Sequence, residues 1–403
     1  MSSGFKVRGL ANVARIGWMP AAVFALAMIP QQAAVHAKTA AARRLAQNGT
    51  YRPRESREYG LGEATAHRAL EAEIRAIGQG FNGDIGIAVE DVQTGWTAAF
   101  DGDTYFPQQS VSKFWVALTA FNKIDRDALS FDSPVTLHRS DITLFHQPIA
   151  AEIGEDGYST TLGALMTRAL QQSDNTCNDA VLWRAGGPEA VRAFLRDKGI
   201  GGIRFGPGER LLQSAIAGIT WKQSYATNGG FYKARDALPP SERRAAFEHY
   251  IANPMDGAQP LGVVDALSRL KRGELLSPAS TQRLLGIMSH TKTGPQRLKG
   301  GLEPGWTLSH KTGTGQILGA VEAGYNDIGV ITGPDGHAYA IAVMIRRTSA
   351  PLPQRMHAMQ SVVHAVIDYD GALDRSGAFA ASGGAAARGG KATIRNQRTA
   401  HPE

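Results

Sequence analysis

Strand-forming sequence lies only towards the two ends of this 403-residue chain, with a long helical stretch between them. Asp84 to Val92 and Trp96 to Phe100 pattern as a hairpin, with Asp91, Gln93, Thr94 and Gly95 supplying the turn. Thr307 to Lys311, Gly319 to Ile331 and Tyr339 to Ile345 are the other strands, the last two joined by Pro334-Asp335-Gly336. Everything between the two groups reads as helix or loop. One antiparallel sheet built from both ends and covered by a helical insertion satisfies this order, which makes the fold class α+β, an α-β sandwich.

Helical periodicity supports that layout. Glu63 to Ile77 places Ala66, Leu70, Ile74 and Ile77 on one face, and Leu352 to Asp368 closes the domain. Ser110 to Asn122 is almost wholly apolar after Lys113. Thr160–Gln172, Asn178–Trp183, Pro188–Lys198, Gly262–Leu270 and Ser277–Met288 follow. Residues 206–262 are irregular apart from a charged helix opened by Pro239 and Pro240, roughly Ser241 to Ile251. The expected organisation is a signal peptide over 1–37, a linker over 38–62 and a catalytic domain over 63–370. A helical subdomain covers about 123–290, and a disordered Ala/Gly/Ser/Arg-rich tail covers 371–403.

The first residues direct export. Lys6, Arg8 and Arg15 precede the apolar run Ile16 to Pro30, and Val35 and Ala37 sit three and one before a cleavage point after Ala37. That run is short of the roughly 20 residues of a membrane span; a retained anchor is the alternative. A periplasmic or secreted protein with no stable membrane span after cleavage is expected. The lone Cys177 then excludes an internal disulfide, and it reads as a small buried residue. Metal chemistry is not expected, since no cysteine cluster, HExxH or close His pair with a carboxylate occurs, and no cofactor is expected. The net charge of +7 gathers partly at the two ends and forms no basic stripe, so no nucleic-acid partner is expected. His146 and His310 are isolated and read as structural. Nothing requires an oligomer, and a monomer is expected.

Chemistry concentrates in three short motifs. In Ser110-Val111-Ser112-Lys113 a helical start puts the hydroxyl and the amine on one face. A serine is a weak nucleophile until a base takes its proton, which a neutral lysine can do. Backbone N–H groups at the helix start suit a developing oxyanion. Ser173-Asp174-Asn175 lies between two helices, where a loop serine relays a proton and an asparagine binds a substrate amide. Lys311-Thr312-Gly313 ends a strand; Gly313 lets a substrate approach the edge, and Lys311 and Thr312 hold a carboxylate.

These motifs, in this order, resemble the class A β-lactamase and D,D-peptidase superfamily. The resemblance covers about residues 64 to 368 and extends to Gly294-Pro295-Gln296-Arg297-Leu298, Gly305-Trp306 and Asn326-Asp327-Ile328-Gly329. It implies acylation of Ser110, proton acceptance by Lys113 and proton transfer through Ser173. It also implies amide binding by Asn175 and carboxylate binding by Lys311 and Thr312 beside Gly313. The oxyanion hole would use the N–H groups of Ser110 and Thr314. The substrate implied is a small β-lactam. Class A members deacylate with a loop glutamate that holds a water, and Glu209 stands 36 residues after Ser173 at the matching place, with Leu212 and Gln213 behind it.

Two departures stand out. Pro207 replaces the arginine that pins this loop in the family, leaving open whether Arg204 substitutes. The segments 141–159 and 214–261 are longer than usual; Trp221 and Tyr225 in the second read as packing residues. The enzyme expected is a β-lactamase conferring β-lactam resistance. The alternative is a D,D-peptidase acting on cell-wall peptides. An acyl-serine sensor would need a second apolar span, which the sequence lacks.

Overall fold

A computed structural model describes residues 59–377. The expected signal peptide, most of the linker and the tail beyond residue 377 lie outside them. Five antiparallel strands form the central sheet: β1 (Asp84–Asp91), β2 (Thr97–Phe100), β3 (Thr307–Thr314), β4 (Tyr325–Thr332) and β5 (Ala338–Arg347). Their order is β2-β1-β5-β4-β3, so the N-terminal hairpin joins the C-terminal meander through the β1–β5 pairing. Asp91 closes the first hairpin as an Asx turn, its Oδ1 accepting from the N–H groups of Gln93 and Thr94 at 2.9 and 3.1 Å. Gly336 at φ 89° turns the last hairpin.

Alternation along the strands sorts two cores. Ile85, Ile87, Val89, Ile341, Val343 and Ile345 face the first helix (Leu61–Gly80) and the last helix (Leu352–Arg375), meeting Leu70, Ile74, Val362 and Val366. The last helix runs through Arg375, past the composition change at Gly371. Small residues dominate the opposite face. Gly86, Ala88, Ala340 and Ala342 there receive the bulky insertion residues Phe106, Phe114 and Val264. A Cβ on Gly86 would lie 2.4 Å from the ring of Phe106, which is fully buried and has nowhere to go. Gly86→Ala is therefore expected to cost about 1–3 kcal/mol by overpacking. An unchanged urea midpoint would show that the sheet and the insertion are not fitted this closely.

The strand expected over Gly319 to Ile331 is divided. Val321–Glu322 pairs with Ile317–Leu318 in a two-residue hairpin, and β4 starts only at Tyr325, after Gly324 at φ 95°. The charged helix expected at roughly Ser241 to Ile251 is Pro240–Ala252, and the irregular segment holds two further helices, Glu209–Ile216 and Gly230–Asp236. All three are short and bounded by glycine or proline, so none shows a full apolar period.

Candidate active site

Ser110 sits on a 3₁₀ turn, Gln109–Ser112, that leads into the helix Lys113–Ile124. Residues i and i+3 eclipse in a 3₁₀ turn, which brings Lys113 closer to the serine than an α-turn would. Lys113 Nζ donates to Ser110 Oγ at 2.8 Å and to Asn175 Oδ1 at 2.8 Å, and lies 3.7 Å from Glu209 Oε2. One buried ammonium thus joins three of the residues singled out from sequence. Gln109 takes φ 54°, an unusual value for a non-glycine residue, and the turn that presents the hydroxyl is held there by side chains described below.

Ser173 and Asn175 come from the short connection between the helices Leu162–Gln171 and Asn175–Arg184. Asp174 caps the second helix, its Oδ1 accepting from Cys177 N at 2.9 Å. Ser173 also has a left-handed backbone, φ 60°, which turns its hydroxyl towards the edge strand β3. Lys311 Nζ donates to it at 3.0 Å. Burial, and then the neighbouring Lys113 ammonium, hold Lys311 well below the usual amine value. Cys177 is fully buried and its thiol is pushed up by burial and by Asp174, which keeps it inert.

The walls of a cavity of about 520 Å³ include Ser110, Ser173, Asn175, Glu209, Thr312 and Thr314. Lys113, Lys311 and Gly313 are not on its wall; the two lysines act from behind the hydroxyls they hold. Gly313 also serves the packing behind the site: a Cβ there would meet the Gln108 carbonyl oxygen at 2.4 Å. The strand edge and the nucleophile turn could not approach each other with any larger residue.

Sequence reasoning missed Arg297. Its guanidinium donates to the carbonyls of Gly313 and Asn326 at 2.9 and 2.7 Å and to Thr314 Oγ1 at 2.6 Å. It lies 3.8 Å from the centre of the Tyr325 ring, and it lines the cavity. It appeared in the Gly294–Leu298 motif only as part of a resemblance. His146, read as structural, also lines the cavity, although its Nε2 is engaged with the Gln172 carbonyl at 2.8 Å. His310 is buried against Asp327 at 2.9 Å, as a structural histidine should be. Trp221 and Tyr225 pack edge to face with each other beside Leu144, Ala217 and Phe231, away from the cavity wall.

Glu209 is buried at 5 % exposure and opens the helix Glu209–Ile216. Its backbone N–H donates to Asp179 Oδ1 at 3.1 Å, and its Oε1 accepts from Gln213 Nε2 at 3.0 Å. The loop is therefore pinned without an arginine at 207. Arg204 turns away to Asn253 Oδ1 at 2.7 Å and stacks 3.9 Å over Tyr105. Arg210 approaches Asp179 instead, at 3.7 Å.

Burial, and then the Glu209 charge, raise Asp179 to about 6. The folded protein thus binds this proton at a pH where the unfolded chain has released it. The ionisation costs stability as pH rises from about 4 through 6. Replacing Asp179 by Asn removes that cost, so the variant should gain on the wild type by about 2–3 kcal/mol between pH 4.5 and 7.5. Parallel pH profiles in urea unfolding would contradict this.

With this geometry in place, residues 69–369 match the β-lactamase enzyme family. The chain belongs to the β-lactamase enzyme family. It is 27 % identical over 277 residues to the β-lactamase VEB-1 of Pseudomonas aeruginosa, spanning 68 % of this chain and 82 % of that one. The fold matches that of the TLA-3 extended-spectrum β-lactamase at a TM-score of 0.62 and 24 % identity, over 75 % of this chain and 98 % of the other. An ancestral class A β-lactamase matches at 0.58 and 27 % identity, over 74 % and 99 %. Membership of this β-lactamase family explains why motifs far apart in sequence meet at one cavity. Among the described residues no helix is long and apolar enough to cross a membrane.

Proposed function

We propose that the chain hydrolyses the amide of β-lactams through an acyl-Ser110 intermediate and so confers β-lactam resistance. The observation that carries this is Lys113 Nζ, placed 2.8 Å from the Ser110 hydroxyl and 3.7 Å from Glu209. A proton passed from Lys113 to Glu209 leaves an amine that accepts the Ser110 proton as Oγ attacks the lactam carbonyl. The N–H groups of Ser110 and Thr314 stabilise the oxyanion. Ser173 gives its proton to the leaving ring nitrogen and is re-protonated from Lys113, which regains its own proton from Glu209. The Glu209 carboxylate then removes a proton from a water that attacks the ester, and Ser110 recovers its hydroxyl.

Binding divides in the same way. Asn175 takes the substrate's side-chain amide, and Thr312 and Thr314 take its carboxylate. Arg297 supplies positive charge from the side, and Lys311 holds the Ser173 hydroxyl from behind. A D,D-peptidase can use the same acylation apparatus. Glu209, buried at the cavity and held by Gln213, supports the β-lactamase reading as the candidate deacylating base. The export signal over 1–37, a periplasmic or secreted location and a monomeric state belong to the same proposal. Turnover of a penicillin by the purified protein, lost on Ser110→Ala, tests the assignment; no turnover by the wild type would overturn it.

A further inference from the structure

The long segment after Glu209 has no counterpart in the expected chemistry, yet it delivers one side chain to the nucleophile turn. Tyr250 lies on the helix Pro240–Ala252, whose Phe247, Tyr250 and Ile251 pack against Leu212 and Ile216 of the Glu209 helix. Its hydroxyl accepts from Gln109 Nε2 at 2.6 Å and donates to Asp256 Oδ2 at 3.2 Å. The same Asp256 oxygen accepts from Gln109 N at 2.8 Å. Gln109 Oε1 in turn accepts from Gln213 Nε2 at 2.9 Å, and the other hydrogen of that nitrogen goes to Glu209 Oε1 at 3.0 Å. Gln213 Oε1 accepts from Gln316 Nε2 at 2.9 Å.

We propose that Tyr250 is a positioning residue that fixes, through Gln109 and Gln213, the orientation of Glu209 for deacylation. The direction of every bond in the chain follows from its buried end. Burial raises Asp256 to about 6, and above that pH its carboxylate only accepts, so the phenol hydrogen points at Asp256. The phenol oxygen is then left to accept, which puts the Gln109 amide nitrogen on its side and the amide oxygen towards Gln213. Gln213 must answer with its nitrogen, and that nitrogen's second hydrogen faces Glu209. Burial and the Asp256 charge keep the Tyr250 phenol protonated at any working pH, so the relay has a donor where it needs one. With phenylalanine at 250, the Gln109 amide loses its acceptor and is free to turn over. Two amide nitrogens would then confront each other at Gln213, and Glu209 would lose its partner.

The proposal rests on Glu209 as the deacylating base, so both are measured together. The acylation and deacylation rate constants for one penicillin are read by intact-protein mass spectrometry and rapid quenching. Four full-length variants are compared with wild type: Glu209→Gln, Tyr250→Phe, Gln109→Leu and the Tyr250→Phe/Gln109→Leu double. Tyr250→Phe is expected to slow deacylation at least tenfold and to accumulate acyl-enzyme, while its KM-determining binding stays within about threefold. Because both residues act along one relay, the double variant should be no slower than the slower single, whereas a loss of general packing would multiply. Deacylation by Tyr250→Phe within twofold of wild type, or multiplied effects in the double, overturns the proposal. Normal deacylation by Glu209→Gln overturns the base assignment instead. If Tyr250→Phe does not fold, Gln109→Leu carries the test alone, and unslowed deacylation there overturns the relay.

Discussion

Ser110→Ala is expected to abolish covalent labelling by penicillin and to lower turnover by about four orders of magnitude or more. The size follows from the way the site is assembled. In the proposed mechanism Lys113, Ser173 and Glu209 all serve the ester made at Ser110 Oγ, so removing that oxygen disables them together rather than by one increment. The fold should survive, because the hydroxyl bonds to Lys113 Nζ, which keeps Asn175 Oδ1 at 2.8 Å and Glu209 at 3.7 Å. Labelling of the alanine variant would mean that another nucleophile does the chemistry.

Glu209→Gln should separate the two halves of the reaction. The carboxamide cannot take a proton from water, so deacylation is expected to fall by about 10²–10⁴-fold. An acyl-enzyme should build up that the wild type clears. Acylation should slow too, because Lys113 must then give its proton to solvent instead of Glu209, but by less than deacylation, whose base is the missing carboxylate itself. Glutamine is nearly isosteric, and the carboxamide oxygen can still accept from Gln213 Nε2. Loss of turnover without an accumulating adduct would place Glu209 in acylation alone.

The proposed nucleophile and its base are legible in sequence because Ser110 and Lys113 are three residues apart, and the local turn alone brings them together. Ser173, Asn175 and Lys311 need the fold to join them, and only the resemblance of their motifs to a known family connected them in advance. The sheet was legible for a related reason: alternation in Asp84–Asp91 and the apolar run of β5 report burial strand by strand.

What the sequence hid shares one physical character. Arg297, Gln109 and Tyr250 act through hydrogen bonds to groups far along the chain, and such bonds leave no periodicity. The helix Pro240–Ala252 displays Glu242, Arg243, Arg244 and Glu248 outward and buries only Phe247, Tyr250 and Ile251. Its composition reads as a solvated face. The missing arginine at 207 left open what pins the loop; Asp179 holds the Glu209 backbone, and Arg204 turns away to Asn253. Substitution of one tether by another cannot be seen from the position that lost it.

In the proposed reaction Ser110 is acylated and Glu209 releases it. The most direct test is a time course of the intact protein with a penicillin, followed by mass. A transient adduct of one penicillin is expected on the wild type, cleared as hydrolysed product appears, with a persistent adduct on Glu209→Gln. A long-lived adduct on the wild type would contradict it and point to a peptidase on the same scaffold.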